Sequence, residues 1–222
     1  MEMEKFKVGS RKQFILRHNP GKYKKLFEVR NLCANGIVWT GKGEKTKPMF
    51  SGDPELFDEN MNSCGFRIRY GDFSYYNCGD IPGGNFPLCK SLERDFESYV
   101  SDVCGKITVM KCDHHAATDA VNMKLIAAAD PEVFIIPACH REHPYKATMV
   151  RMTDPLCNYP EKKEFYITSE SSRKDLGEAL WKHFKPAGHI VVRVYPGGER
   201  YQIFVLDVRT MNVIYSSSIS GK

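Results

Sequence analysis

The stretch "GFRIRYGDFSYYNCGD" (Gly65–Asp80) decides the fold of this chain. Phe66, Ile68 and Tyr70 alternate with polar residues, and Gly71-Asp72 then supplies a two-residue turn signal before a second alternating run. Alternation with a period of two is typical of a strand that buries one face. The stretch therefore predicts a β-hairpin, and its second strand runs into a Gly-Asp pair.

Downstream of this hairpin, buried strands alternate with amphipathic helices. The strands are predicted at "KITVMKC", "EVFIIPAC" and "EFYITS", and a last hairpin turns at Pro196-Gly197-Gly198. Helices are predicted over 92–103 after Ser91, over 120–129 after Asp119, from Pro144 to Met152, and over 173–184 with a Ser172/Asp175 capping box. This order predicts an α/β (α+β layered) fold with a mixed β-sheet and flanking helices.

The first part of the chain looks less regular. "LFEVRNLCANGIVWTG" predicts a hairpin that turns at Asn35-Gly36, and the polar stretch after it is rich in Gly and Pro. We therefore divide the chain into residues 1–60, a hairpin and polar connecting segment that is partly mobile, and residues 61–222, the domain itself.

Composition sets broad limits on function. The 222 residues are 42% hydrophobic with a net charge of +5, which fits a globular domain and permits an anionic substrate without demanding nucleic acid. Eight cysteines include no C-x-x-C pair, which disfavours a zinc ribbon and fits a reduced, cytoplasmic environment. No apolar run approaches the roughly 18 residues of a membrane span, so we expect no membrane partner.

Residues that could bind a metal or take part in catalysis lie where predicted strands end. They are Asp80 in "NCGD", the "CDHH" run with His114 and His115, and the "CHREHP" run with His140 and His143. Active residues of α/β folds lie at such strand ends. Each also has a plain structural alternative: Asp80 as a turn residue, and His143 as a capping or loop histidine. Adjacent strand residues face opposite sides, so His114 and His115 would divide into one ligand and one substrate contact.

One carboxylate with separated histidines is part of what a two-metal hydrolase needs. The carboxylate bridges two ions, neutral imidazoles hold them, and the ions activate a water. The donors present fall short of the roughly eight that two tetrahedral ions require. The chain has no G-x-G-x-x-G, no G-x-x-x-x-G-K-[ST] and no G-x-S-x-G motif, so nucleotide binding by those loops and serine hydrolysis are not supported.

The ordered set of "GD", "HH" and "HP" resembles the C-terminal half of metallo-β-lactamase-fold hydrolases related to the soluble domain of the DNA-uptake channel protein ComEC. The resemblance covers about residues 65–168 and implies half of an αββα sandwich. It also implies two divalent ions, zinc or alternatively manganese. Asp80 would bridge the ions, His115 and His143 would each bind one, and His114 would contact the substrate phosphate or orient the water.

The chain departs from that family pattern. "HHAATD" stands where "HHGS" is usual, "REHP" stands where "GHP" is usual, and the H-x-H-x-D-H motif that supplies most ligands is absent from the 222 residues. We therefore expect part of a phosphodiester hydrolase, acting on nucleic acid or a related substrate, that binds metal weakly or not at all and is inactive alone. Its partners would be the missing N-terminal half or a second copy of itself.

Two alternatives remain open. The first is a degenerate, metal-free domain that serves in binding or structure. The second is a DHH-type manganese phosphoesterase, in which Asp80 and the "DHH" residues would be ligands and His143 would not.

Overall fold

A single eight-stranded mixed sheet forms the centre of the protein. The computed structural model describes residues 3–53, 55, 57–84, 94–155 and 162–221. The strands lie in the order β3-β2-β1-β4-β5-β6-β7-β8. They are β1 (Phe27–Ala34), β2 (Ile37–Trp39), β3 (Thr46–Pro48), β4 (Gly65–Tyr70), β5 (Phe73–Asn77), β6 (Val109–Lys111), β7 (Val133–Ile136) and β8 (Glu164–Ile167). The predicted mixed α/β class is confirmed.

The predicted β4–β5 hairpin is confirmed, with Tyr70 opposite Phe73 across the turn. From β5 onward the neighbouring strands are parallel, and parallel strands need crossover connections. Helix α1 (Pro20–Tyr23) precedes β1, and these connections hold helices α2 (Glu97–Cys104), α3 (Met123–Ala129) and α4 (Lys146–Thr153). The carboxyl ends of β5, β6 and β7 therefore meet at one end of the sheet.

The first three strands extend the same sheet. β1 pairs antiparallel with β4, with Phe27 opposite Tyr70. The predicted β1–β2 hairpin is confirmed, and Asn35 and Gly36 at its turn have φ of 50° and 70°. Two successive positive φ values are what a tight hairpin turn requires, and Asn-Gly adopts them readily.

A second, four-stranded sheet covers one face of the large sheet. It comprises β9 (His189–Val194), β10 (Arg200–Leu206), β11 (Val213–Ser216) and β12 (Ser220–Gly221), and the predicted β9–β10 hairpin is confirmed. The two sheets meet in an apolar cluster of Phe73, Val109, Val133, Tyr166, Tyr201, Ile203 and Val205. The helices pack on the opposite face, so the layers run helix, sheet, sheet.

Several predicted helix ends are wrong. Helix α3 is capped by Asn122, whose side chain accepts from Leu125 N at 2.8 Å, and Asp119 lies upstream of it. Helix α4 begins at Lys146 rather than Pro144. The helix predicted over 173–184 is two short helices, Arg173–Leu176 and Glu178–Trp181, because Gly177 between them has φ of 73°. The predicted cap at Ser91 lies outside the described residues.

Asn31 ties the N-terminal segment to β1. Its side chain is buried and donates to the Lys7 carbonyl at 2.9 Å and to Gln13 Oε1 at 2.8 Å. Backbone bonds join Gly9 N to Asn31 O and Asn31 N to Ser10 O. Residues 7–13 are thereby fixed alongside the sheet.

Candidate metal centre

The predicted site residues gather at the carboxyl ends of β5, β6 and β7. His115 Nε2 lies 3.5 Å from Asp80 Oδ2, and the rings of His115 and His143 stack with centroids 4.6 Å apart and planes 9° apart. His140 lies against His143, with 5.6 Å between ring centroids. Asp80 and His115 are 35 positions apart in the sequence, and His115 and His143 are 28 apart. They become neighbours because their strands are adjacent and parallel.

The backbone of the His-His pair is left-handed. His114 has φ of 40°, His115 of 55° and Ala116 of 56°, within a 3₁₀ turn over Asp113–Ala116. Non-glycine residues rarely adopt these values, and such strain collects at functional sites. The turn leaves the strand geometry before His114, which removes the alternation that would separate the two imidazoles.

A backbone carbonyl fixes the ring of His115. Its Nδ1 lies 2.6 Å from the carbonyl oxygen of Pro137. A carbonyl can only accept, so Nδ1 carries a hydrogen, and in the neutral imidazole Nε2 is then the nitrogen with a lone pair. Metal-bound histidines commonly donate their second ring N–H to a backbone carbonyl in this way.

His114 is paired with Asp119 rather than with Asp80. Its Nδ1 lies 2.8 Å from Asp119 Oδ1, and its Nε2 lies 3.3 Å from Asn60 Nδ2. The Asn60 amide nitrogen donates to Nε2, so Nδ1 carries the hydrogen. The bond to Asp119 raises the pKa of His114. Asp119 was expected to cap a helix, but it orients this imidazole instead. The only sequence signal for this role is the His-x₄-Asp spacing, which is not specific.

Lys111 is a site residue that the sequence pattern did not reveal. Its Nζ lies 3.3 Å from Asp80 Oδ1 and also donates to the Gly79 carbonyl, and its side chain is only 12% exposed. It is the last residue of β6, the strand that precedes the His-His pair, and the sequence gives it no feature that distinguishes it from other polar residues. A cation therefore already lies beside the carboxylate expected to bind metal.

Asp113 lies in the core rather than among the site side chains. It is fully buried and accepts from the Tyr76 hydroxyl at 2.7 Å. Burial raises its pKa to about 7. Its carboxyl group therefore faces the core, away from the imidazoles.

The donor set fits part of a metal centre. Desolvation and the neighbouring His115 lower the pKa of His143, which favours the neutral imidazole that binds metals. Within the described residues, however, no three His, Cys, Asp or Glu side chains are arranged to hold an ion. Asp80, His115 and His143 are adjacent without surrounding one common point, so their roles as ligands stay a prediction.

No protein-family model matches the sequence, and no curated protein matches it. The resemblance to metallo-β-lactamase-fold hydrolases thus rests on motif order. No helix among the described residues is long and apolar enough to cross a membrane.

Proposed function

We propose that this chain supplies part of a two-metal hydrolase centre that cleaves phosphodiesters, of nucleic acid or a related substrate. The observation that carries the proposal is the orientation of the His115 ring, whose Nδ1 lies 2.6 Å from the Pro137 carbonyl oxygen while Nε2 lies 3.5 Å from Asp80 Oδ2. Asp80 would bridge two divalent ions, zinc or manganese. His115 would bind one ion and the stacked His143 the other.

The remaining groups would act on substrate and water. Bound divalent ions lower the pKa of a water so that it is a nucleophile near neutral pH. His114, oriented by Asp119, would contact the substrate phosphate or orient the water, and it would have to exchange its bond from Asn60 Nδ2 to do so. Lys111 adds positive charge that favours an anionic substrate.

The chain contributes three of the donors that two ions need. Two tetrahedral ions require roughly eight metal–donor bonds, and a carboxylate that bridges both ions supplies only two of these. In the family that the chain resembles, H-x-H-x-D-H supplies the others, and the 222 residues do not contain it. We infer that these residues alone bind metal weakly and do not catalyse, and that a segment carrying this motif completes the centre.

Replacement of the ligands tests the proposal directly. In a titration of the 222-residue chain with Zn²⁺ and Mn²⁺, we expect Asp80→Ala and His115→Ala each to weaken binding by more than about 10-fold, since loss of a mere supporting group costs about that much. His189→Ala, in β9 of the second sheet, is the matched control and should bind as the wild type does. Equal binding by all three variants would contradict the assignment.

The Asp80–Lys111 ion pair favours a second candidate, a metal-free domain used in binding or structure. There the Lys111 ammonium would permanently occupy the place of a cation beside Asp80. The DHH-type alternative gains no support, because the Asp113 carboxylate that it needs as a ligand is bonded to Tyr76 in the core.

Lys111→Met separates the two candidates. If Asp80 is a metal ligand, removing the competing ammonium should tighten Zn²⁺ binding by several-fold, because like charges no longer repel. If the domain is metal-free, the variant should bind no more metal than before. It should also lose about 1 to 3 kcal/mol of stability, since a partly buried carboxylate has lost its partner. Calorimetric titration and thermal melting of the same preparation give both readings.

A further inference from the structure

Residues 3–26, here called the basic segment, concentrate positive charge. They carry eight lysines and arginines against one carboxylate, Glu4, which is a net charge of +7 in a chain whose total is +5. The rest of the protein is therefore slightly acidic. A charge asymmetry of this kind is the usual electrostatic sign of a polyanion-binding surface.

The basic segment borders a groove rather than a flat surface. The groove encloses about 350 Å³ and adjoins a second of about 390 Å³, with Leu16, Tyr23 and Phe27 lining both. Arg11, Lys12, Phe14 and Lys24 also line the first, and Arg17, His18 and Tyr70 also line the second. Aromatic and cationic side chains thus line the groove together, with Glu28 as the one carboxylate among them.

The groups at this groove are available to a ligand. Phe14 is 46% exposed and Ile15 is 65% exposed. Among the described residues, Lys12, Arg17 and Lys24 form no ion pair, whereas Arg11 reaches Glu28 at 3.9 Å. Exposed apolar side chains that form a patch of this kind are a feature of ligand-binding grooves.

The groove lies away from the candidate metal centre. Strand β4 runs towards Tyr70 at the groove, and β5 returns from there towards Asn77, three residues before Asp80 of the candidate metal centre. The two sites therefore stand at opposite ends of the sheet. A ligand in the groove would not touch the candidate metal centre, so binding there does not depend on the proposed hydrolase function.

We propose that this groove binds single-stranded nucleic acid. Bases would stack on Tyr23 and Phe14, and phosphates would lie near Lys12 and Lys24. Single-strand-binding proteins combine aromatic platforms with a cationic groove in this way, with little dependence on sequence. In a duplex the base faces are covered, so a duplex would gain only the charge contacts. A membrane surface would favour a projecting apolar face over a recessed one.

Fluorescence anisotropy of a labelled oligothymidine of about 12 nucleotides, within the range such sites cover, tests the proposal. The full 222-residue chain is used with EDTA present, so that a metal centre cannot contribute. We expect Tyr23→Ala to weaken binding by about 5- to 100-fold, and Tyr23→Phe to bind as the wild type because the stacking ring remains. Tyr99→Ala is the matched control, since each ring has a lysine ammonium over it, Lys47 at 5.3 Å from Tyr99 and Lys22 at 5.4 Å from Tyr23.

The charge contacts have a separate signature. The plot of log affinity against log salt should have a negative slope, and Lys12→Gln/Lys24→Gln should reduce its magnitude by about 1.4, or about 0.7 for each phosphate contact on a single strand. Lys174→Gln/Lys182→Gln removes two exposed lysines elsewhere and should leave the slope unchanged.

Any one of the following results would overturn the proposal. The first is no binding at low salt. The second is equal affinity for the wild type and the Tyr23→Ala variant, or for single-stranded and duplex DNA of the same length. The third is binding to phosphatidylserine vesicles without binding to the oligonucleotide, which would make the basic segment a membrane-surface element instead.

Discussion

Replacing Glu97 with alanine should lower the free energy of unfolding by about 3 to 5 kcal/mol, because two buried backbone donors lose their acceptors. Glu97 is fully buried at the start of α2. Its two carboxyl oxygens accept from Val121 N and Asn122 N, each at 2.6 Å. These bonds fix the loop that leads from the His-His turn into α3.

Chemical denaturation of Glu97→Ala against Glu199→Ala measures this effect. Glu199 is exposed in the β9–β10 turn, so its removal should change stability by no more than about 0.5 kcal/mol. A Glu97→Ala variant as stable as the control would show that the loop does not depend on this carboxyl group.

The same residue predicts a pH dependence. Burial, and then the nearby Asp113, raise the pKa of Glu97 well above its usual value of 4.5. The folded state therefore keeps a proton that the unfolded state has released, so the stability from Glu97 is full below pH 4.5 and is lost as pH rises through the folded-state pKa. The stability difference between wild type and Glu97→Gln should accordingly shrink as pH rises, and a difference that grows would contradict this sign.

Replacing Gly65 with alanine should cost about 2 to 3 kcal/mol through overpacking. A Cβ at Gly65 would lie 2.5 Å from Cys33 Sγ and closer still to Cys78 Sγ, and both thiols are fully buried. Neither short side chain can move away in a close-packed core. Gly21→Ala is the matched control, because a Cβ there would meet nothing within 4 Å.

A double variant shows whether the two sulfur atoms cause the loss. In Gly65→Ala/Cys78→Ala the nearest sulfur is absent, so the double variant should be more stable than the sum of the two single changes predicts, by about 1 kcal/mol or more. Additive effects would place the cost of Gly65→Ala in the backbone rather than in these contacts.

Local patterns explain how much of the fold could be predicted. The β4–β5 hairpin was predictable because its alternation and its Gly71-Asp72 turn lie within one short stretch. The addition of β1 to β4 was not, because that pairing joins Phe27 to Tyr70 across a long and irregular connection. Propensity alone likewise could not show that Gly177 would break a helix.

The candidate site was predictable to a similar degree. Strand ends indicated that Asp80, His115 and His143 lie near one another, and His115 lies beside both of the others because parallel neighbours share one carboxyl edge. The same reasoning gave Asp119 the wrong role, because a helix cap and a histidine partner look alike in sequence. Lys111 was missed because nothing local shows that its ammonium group turns back towards Asp80.

The position of β3 at the end of the large sheet bears on how the protein avoids polymerising. An outermost strand leaves backbone hydrogen-bonding groups open to another chain. β3 is only Thr46–Pro48, exposed at all three residues, and it carries Lys47 beside a proline that has no N–H to offer. At the other end, Lys185 N and Gly188 N donate to β8 carbonyls and cover that margin. Both margins of the large sheet thus resist the addition of strands from other molecules, which limits amyloid-like growth along it.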